Sequence, residues 1–135
     1  MGVNAANTVY VETKNPGGDL QIGVPFHLAV ICPTTPNTRV AVVTSTGLIQ
    51  RGSALTSSFS AATGHFAVAA NVNINPDCAT VATRGSVDSG VPYSPATVEL
   101  APGPAANTIG IDVRSLLAFG GMLANESFHT ATVCR

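Results

Sequence analysis

The stretch "ALTSSFSAATGHFAVAANVNINP", residues 54–76, contains two runs in which apolar side chains alternate with small or polar ones. Strict alternation over this length is typical of strands that bury one face. Thr63 and Gly64 join the two runs, and so short a link predicts a β-hairpin. The second face of this hairpin is small and uncharged. Its polar members are Thr56, Ser58, Ser60, Asn71 and Asn73.

The composition describes one charge-poor domain. A chain of 135 residues predicts a single domain over 1–135. Only 10% of the residues are charged, against about 25% in an ordinary soluble domain. Such surfaces are typical of proteins that lie against copies of themselves and of secreted adhesive modules. The formal net charge of −1 predicts no general attraction to phosphate.

The cysteines and the apolar runs bear on the cellular compartment. Cys32, Cys78 and Cys134 allow at most one disulfide within the chain and leave one thiol over, and the sequence does not fix the pairing. The first residues lack the basic segment and long apolar run of a signal peptide, so free thiols are the default expectation. No stretch reaches the roughly 18 apolar residues of a membrane span, so we expect no membrane partner.

Further strands are expected where apolar and β-branched residues stand between turn residues. These segments are 7–13, 20–24, 26–31, 38–43 and 93–101. Residues 76–92 contain many Gly, Pro, Asp and Ser residues and show no period, which predicts a long loop.

The pattern changes from Ile109 onward. Apolar residues at 109, 113, 116, 117 and 123 have a helical spacing, and Gly120 with Gly121 would divide the helix. Strands followed by one or two terminal helices predict an α+β fold with an antiparallel sheet. Because so short a helical region covers only part of the sheet, we expect an obligate dimer. Each helical region would close the partner's sheet, and two sheets would join edge to edge.

Catalytic and metal-binding patterns are absent from the sequence. His27, His65 and His129 have no Cys, His or carboxylate at metal-ligand spacing. Cys78 lies in a Gly- and Ser-rich segment with nothing nearby to lower the pKa of its thiol. We therefore expect no enzyme activity, no cofactor and no metal.

The order of hairpin, long loop, strand and proline-containing break, followed by "DVRSLLAFGGMLANESF" (112–128), resembles the levivirus-type coat proteins of single-stranded RNA bacteriophages. The resemblance implies an N-terminal hairpin and a five-stranded antiparallel sheet followed by two C-terminal helices in an interlocked dimer. Such dimers build an icosahedral capsid around single-stranded RNA. The expected location is therefore the virion, assembled in the host cytoplasm, and the inner face of the sheet could bind an RNA hairpin.

The resemblance also assigns roles to residues. "LTSSFSAAT" (55–63) is similar to the strand whose inward side chains contact RNA, and Tyr93 to an aromatic residue that stacks on an unpaired base. Together with the polar face of the hairpin, the expected RNA-binding residues are Thr56, Ser58, Ser60, His65, Asn71, Asn73 and Tyr93. Cys78 is the candidate for an intersubunit disulfide. The helix that clasps the partner would contain Val113, Leu116 and Leu117.

Simpler interpretations stay open for the same residues. The hydroxyl and amide side chains could form a solvated sheet face, Tyr93 could pack at the edge of the sheet, and Cys78 could be a free thiol. The alternative function is a secreted or surface β-rich module that is adhesive or binds carbohydrate. It accounts for the composition and for a possible disulfide, but not for terminal helices.

Overall fold

The computed structural model describes residues 19, 23, 25, 28, 30, 37–54, 56–70, 73–74, 78–87, 96–115 and 123–135. All the regular elements in these residues are β-strands. In chain order they are β1 (Thr38–Val43), β2 (Ile49–Gly52), β3 (Thr56–Ser60), β4 (His65–Ala69), β5 (Cys78–Arg84), β6 (Ala96–Pro102), β7 (Thr108–Ser115) and β8 (Phe128–Cys134).

The strands form two four-stranded antiparallel sheets. Sheet I has the order β2-β1-β8-β5, and sheet II has the order β3-β4-β7-β6. In strand order, β3 to β8 correspond to strands A to F of an immunoglobulin constant domain, and β1 occupies the place of strand G. The chain therefore builds a two-layer sandwich in which the first described strand closes against the last.

The core lies between the sheets. Sheet II contributes the inward side chains of β4 and β7, which are β-branched except for Phe66. Sheet I contributes Ala41, Val43 and Phe128. The ring of Phe66 packs edge-on against that of Phe128, with 5.0 Å between centroids, so aromatic contact joins the two layers directly.

The predicted hairpin is confirmed, and so are the two faces of its strands between Thr56 and Ala69. β3 pairs with β4 from Thr56↔Ala69 to Ser60↔His65. The amides of Thr63 and Gly64 donate to the carbonyl of Ser60 in the connecting turn. Gly64 has φ of 72°, a left-handed conformation that glycine adopts without steric cost. The predicted strands 38–43 and 93–101 correspond to β1 and β6, while 7–13, 20–24 and 26–31 lie largely outside the described residues.

The predicted α+β fold is wrong, because the expected helical region begins as a strand. Residues 108–115 form β7, and Val113 of the predicted clasp helix is fully buried in the core. Ile109, Ile111 and Val113 alternate with polar or small residues, and β-branched side chains favour this pleated arrangement. Residues 128–134 form β8, while Leu116 and Leu117 lie outside the described residues. In the described part of the chain, no helix could cross a membrane.

The predicted long loop 76–92 is also interrupted by a strand. β5 occupies residues 78–84 and pairs with β8 from Cys78↔Cys134 to Arg84↔Phe128. The first of these pairs is covalent, because Cys78 and Cys134 form a disulfide within the chain. The sulfur of Cys78 is therefore not available for the intersubunit disulfide suggested by the resemblance, nor is it a free thiol.

Candidate functional site

The outer face of sheet II brings four of the expected binding residues together. Thr56, Ser58 and Ser60 project from edge strand β3, and His65 projects from the neighbouring β4. All four are exposed. The same face includes the outward residues of the other two strands, which are Thr97, Glu99 and Ala101 of β6 and Gly110, Asp112 and Arg114 of β7.

A trough of small residues crosses this face. One residue of each strand lies in register, in the order Ser58, Ala67, Gly110 and Ala101. Because neighbouring strands lie about 4.8 Å apart, this line is roughly 14 Å long. The open space above it has a volume of about 440 Å³, and its lining includes Pro102 and Pro104 at the β6 end. We call this depression the outer trough.

Gly110 leaves the middle of the outer trough empty. A Cβ atom placed there would lie 3.4 Å from the carbonyl oxygen of Pro102 and 3.5 Å from that of Ala101. These are ordinary contacts, so the backbone at this position does not itself require glycine. The missing side chain creates space on the outer face rather than relieving a clash.

Charged side chains lie beside the outer trough, and two of them, His65 and Asp112, line it. Nδ1 of His65 donates a hydrogen bond to Oδ1 of Asp112. Nε of Arg114 donates to Oε2 of Glu99 over 2.9 Å, and its Nη2 lies 3.6 Å from Oδ2 of Asp112. These four residues, which we call the charged cluster, link strands β4, β7 and β6 across the face. Each carboxylate faces at least one cationic or hydrogen-bond-donating partner.

Arg114 holds the charged cluster together electrostatically. The hydrogen bond to Glu99 and the negative charge of that carboxylate raise the pKa of the Arg114 guanidinium, and the charge of Asp112 adds to the effect. The side chain is solvent-exposed, so the contribution of these pairs to stability is small. Their main effect is to fix the positions of the two carboxylates.

Several polar atoms on this face are available to a ligand. Within the described residues, the hydroxyl groups of Thr56, Ser58 and Ser60 have no side-chain hydrogen bond, and neither does Nε2 of His65. Ser60 lies opposite His65 in the register, yet its Oγ atom makes no hydrogen bond to the ring. The row Ser60, His65 and Asp112 therefore lacks the contact that activates a serine nucleophile. The arrangement is suited to binding by hydrogen bonds.

Metal binding and aromatic stacking on a ligand find no support in the described part of the chain. No three side chains of His, Cys, Asp or Glu gather there as a metal-binding set. The described aromatic rings Phe59, Phe66 and Phe128 belong to the core or pack against it, so they offer no stacking platform on the outer face.

The other expected site residues do not join this face. Asn73 is exposed, but β4 has already ended at Ala69, and the carbonyl oxygen of Asn73 lies 3.6 Å from Sγ of Cys78. Asn71 and Tyr93 lie outside the described residues.

Sequence reasoning missed the acidic part of the site. Glu99 lies within the predicted strand 93–101, but the sequence gave it no role in a site. Asp112 falls in the segment from Ile109 onward for which the spacing predicts a helix. An alternating interpretation of "TIGIDVRS" (108–115) would have placed Gly110, Asp112 and Arg114 on one face.

Comparison with known proteins adds no relative. No family model matches the chain, and neither a curated protein nor a solved structure is found to be similar to it.

Proposed function

We propose that this chain is a secreted or surface β-sandwich module that binds a neutral carbohydrate in the outer trough. The observation that carries the proposal is the trough itself: a floor of Ser58, Ala67, Gly110 and Ala101 beside a cluster in which Arg114 pairs with both carboxylates. Concave sites with an apolar floor and a few fixed polar groups are the usual form of small-ligand sites.

The polar atoms of the trough favour a ligand that donates several hydrogen bonds. The carboxylate of Asp112 lines the trough as an acceptor, the carboxylate of Glu99 lies opposite it on β6, and the hydroxyls of Ser58 and Ser60 can either donate or accept. Hydroxyl groups that donate to carboxylates form short, strong hydrogen bonds. Arg114 pairs with both carboxylates and His65 is charged only when protonated, so with a neutral His65 the cluster carries one more negative than positive charge. A neutral polyhydroxyl compound fits this balance better than a phosphate, which would approach two carboxylates.

The disulfide supports an oxidising compartment. Cys78 and Cys134 join neighbouring strands of sheet I, and such bonds persist mainly in secreted, surface and periplasmic proteins. Within the described residues, strands at 108–115 and 128–134 replace the expected helices, which weakens the main objection to this class of module.

A self-assembling coat protein is the second candidate. The charge-poor composition favours it, because surfaces with few charges pack readily against copies of themselves. The helices that motivated the comparison with RNA bacteriophage coats are not found at β7 and β8. RNA binding by Thr56, Ser58, Ser60 and His65 would also bring phosphates close to Asp112 and Glu99.

The test is a glycan array followed by calorimetric titration of the best neutral ligand. Gly110→Leu fills the outer trough and should weaken binding at least tenfold, and Asp112→Asn should weaken it through loss of the charged acceptor. The matched control is Gln50→Leu, which places the same side chain at an exposed position of sheet I. Circular dichroism checks that each variant is folded.

Three outcomes contradict the carbohydrate proposal. One is the absence of any neutral glycan ligand, and another is a ligand whose affinity Gly110→Leu leaves unchanged. The third is assembly of the purified chain into megadalton particles with nucleic-acid absorbance, which supports the coat instead. Size exclusion and electron microscopy detect such particles directly.

A further inference from the structure

Strand β5 forms an open edge of sheet I. It pairs with β8 along its whole length, and no strand of the described chain pairs with its other side. An open edge presents backbone donors and acceptors in a row, ready to bond to another strand. A strand that bonds to these groups would lie away from the outer trough, because β5 belongs to sheet I and the trough to sheet II.

The register shows which backbone groups point outward from β5. The Cα atoms of Cys78 and Cys134 are only 4.0 Å apart, which is typical of a pair whose backbones do not bond to each other. Accordingly, the amide of Cys134 donates to Asn37, on the side away from β5, while that of Gly85 donates to Ser127. The backbone N–H and C=O groups of the odd-numbered residues of β5 therefore bond to β8, and those of the even-numbered residues point toward the free edge.

Thr80 and Ala82 are the central residues whose backbone groups point toward the free edge. Within the described chain, their amide and carbonyl groups on this side have no hydrogen-bond partner. Val81, between them, is 63% exposed on the outer face of sheet I, and Val133 of β8 is 46% exposed on the same face. The edge thus combines unpaired backbone groups with the exposed apolar side chain of Val81, while Val133 lies one strand further in.

The other three edges are better protected. β2 is only four residues long, and its pairing with β1 is irregular between Val42 and Val43. β3 is five residues long. β6 carries Glu99 and ends at Pro102. β5 is seven residues long, contains neither Gly nor Pro, and is uncharged until Arg84 at its end. Natural edge strands usually avoid this combination.

We propose that β5 is the pairing surface for β5 of a second copy of this chain, in antiparallel register about a two-fold axis at Val81. In this register, Thr80 of each copy exchanges N–H···O bonds with Ala82 of the other. The two Val81 side chains face each other across the axis as a cross-strand apolar pair. Ala79 faces Thr83, and the two Arg84 residues lie at opposite ends, so like charges do not meet.

A second copy suits this edge because the segment 79–83 is complementary to itself. Its sequence, Ala-Thr-Val-Ala-Thr, reads small or β-branched from either end and carries no charge. A two-fold axis uses the same surface twice, and self-complementary surfaces of this kind produce closed dimers. The resulting dimer would have one continuous eight-stranded sheet.

The experiment measures self-association of the oxidised full chain by sedimentation velocity from micromolar to millimolar concentration. Val81→Lys places two ammonium groups opposite each other and should raise the dimer dissociation constant at least tenfold. Ala82→Pro should do the same by removing an outward amide, since proline is tolerated on an edge strand where its N–H is not needed. Val133→Lys is the control, because it changes the same face one strand from the edge.

The expected result is a dimer that both β5 variants weaken and Val133→Lys leaves within about twofold. Protection of the Thr80 and Ala82 amides from hydrogen exchange should rise with protein concentration. If Ala82→Pro does not fold by circular dichroism, Val81→Lys decides. The proposal is overturned by a chain that stays monomeric at millimolar concentration, or by a dimer that is indifferent to Val81→Lys. Capture of a different protein by the β5 edge, without self-association, also overturns it.

Discussion

Phe66 connects the two layers of the sandwich through a direct contact between aromatic rings. It is 1% exposed, and its ring lies 4.6 Å from that of Phe59 and 5.0 Å from that of Phe128. Phe59 belongs to the neighbouring strand of the same sheet, and Phe128 to the opposite sheet. Alternation in the hairpin predicted that Phe66 points inward, but the sequence did not identify Phe128 as its partner across the core.

We expect Phe66→Ala to lower the free energy of unfolding by about 3–5 kcal/mol, because it removes a buried ring and leaves a cavity. Phe59→Ala should lower the free energy of unfolding by a smaller amount, since Phe59 is only partly buried. Urea unfolding followed by circular dichroism measures both. A loss below about 1 kcal/mol for Phe66→Ala would show that this ring does not fill the core.

A second prediction concerns the threonine pair inside sheet I. The Oγ1 atoms of Thr80 and Thr132 are 2.9 Å apart, and Thr132 is buried. Thr132→Val should destabilise by about 1 kcal/mol because it leaves the Thr80 hydroxyl without its partner, whereas the double valine variant should recover most of that loss. A double-mutant cycle by urea unfolding gives the coupling energy between the two side chains. If the losses of unfolding free energy in the two single variants simply add up in the double variant, the hydrogen bond between Thr80 and Thr132 is contradicted.

At the level of elements, the sequence did not predict β2, β5, β7 and β8 as strands. Helical spacing at 109, 113, 116 and 117 competed with alternation at 109, 111 and 113, and the two patterns share Ile109 and Val113. β-Branched side chains settle this competition in favour of the strand, because β7 lies between β4 and β6 and can bury one face completely. β5 was hidden by its many small and polar residues.

Hydrogen exchange distinguishes strand from helix in this region. β7 has a partner on each side, so we expect slow exchange for consecutive amides from Ile109 to Val113. In β5, by contrast, the dilute monomer should show slow exchange at Val81 and fast exchange at Thr80 and Ala82. Two-dimensional NMR after transfer to D₂O records both patterns. Uniform protection of β5 at high dilution would contradict its position at an open edge.

For the whole molecule, the disulfide closes a long section of chain. Cys78 and Cys134 are 56 positions apart, and the loop between them contains β5, β6, β7 and β8. It holds the edge strand β5 against the end of β8. Cys32, the third cysteine, lies outside the described residues.

The double variant Cys78→Ser/Cys134→Ser should therefore be less stable. The chain-entropy model gives about 4 kcal/mol for a loop of this length. Chemical unfolding of the oxidised protein and of the double variant measures the difference, and non-reducing peptide mapping should recover a Cys78–Cys134 linked fragment. Peptide mapping that links either residue to Cys32 would contradict the assignment.

By itself, the sequence determined the hairpin of β3 and β4, the inward and outward faces of its strands, and the exposure of Thr56, Ser58, Ser60 and His65. Alternation is a local property, and a strand that buries one face records it residue by residue. The tertiary structure decided that the segment from Ile109 is a strand, that Cys78 pairs with Cys134, and that Asp112, Glu99 and Arg114 share the outer face of sheet II. These features depend on which strands become neighbours, and residues far apart in the chain acquire a shared face only when the sheets assemble.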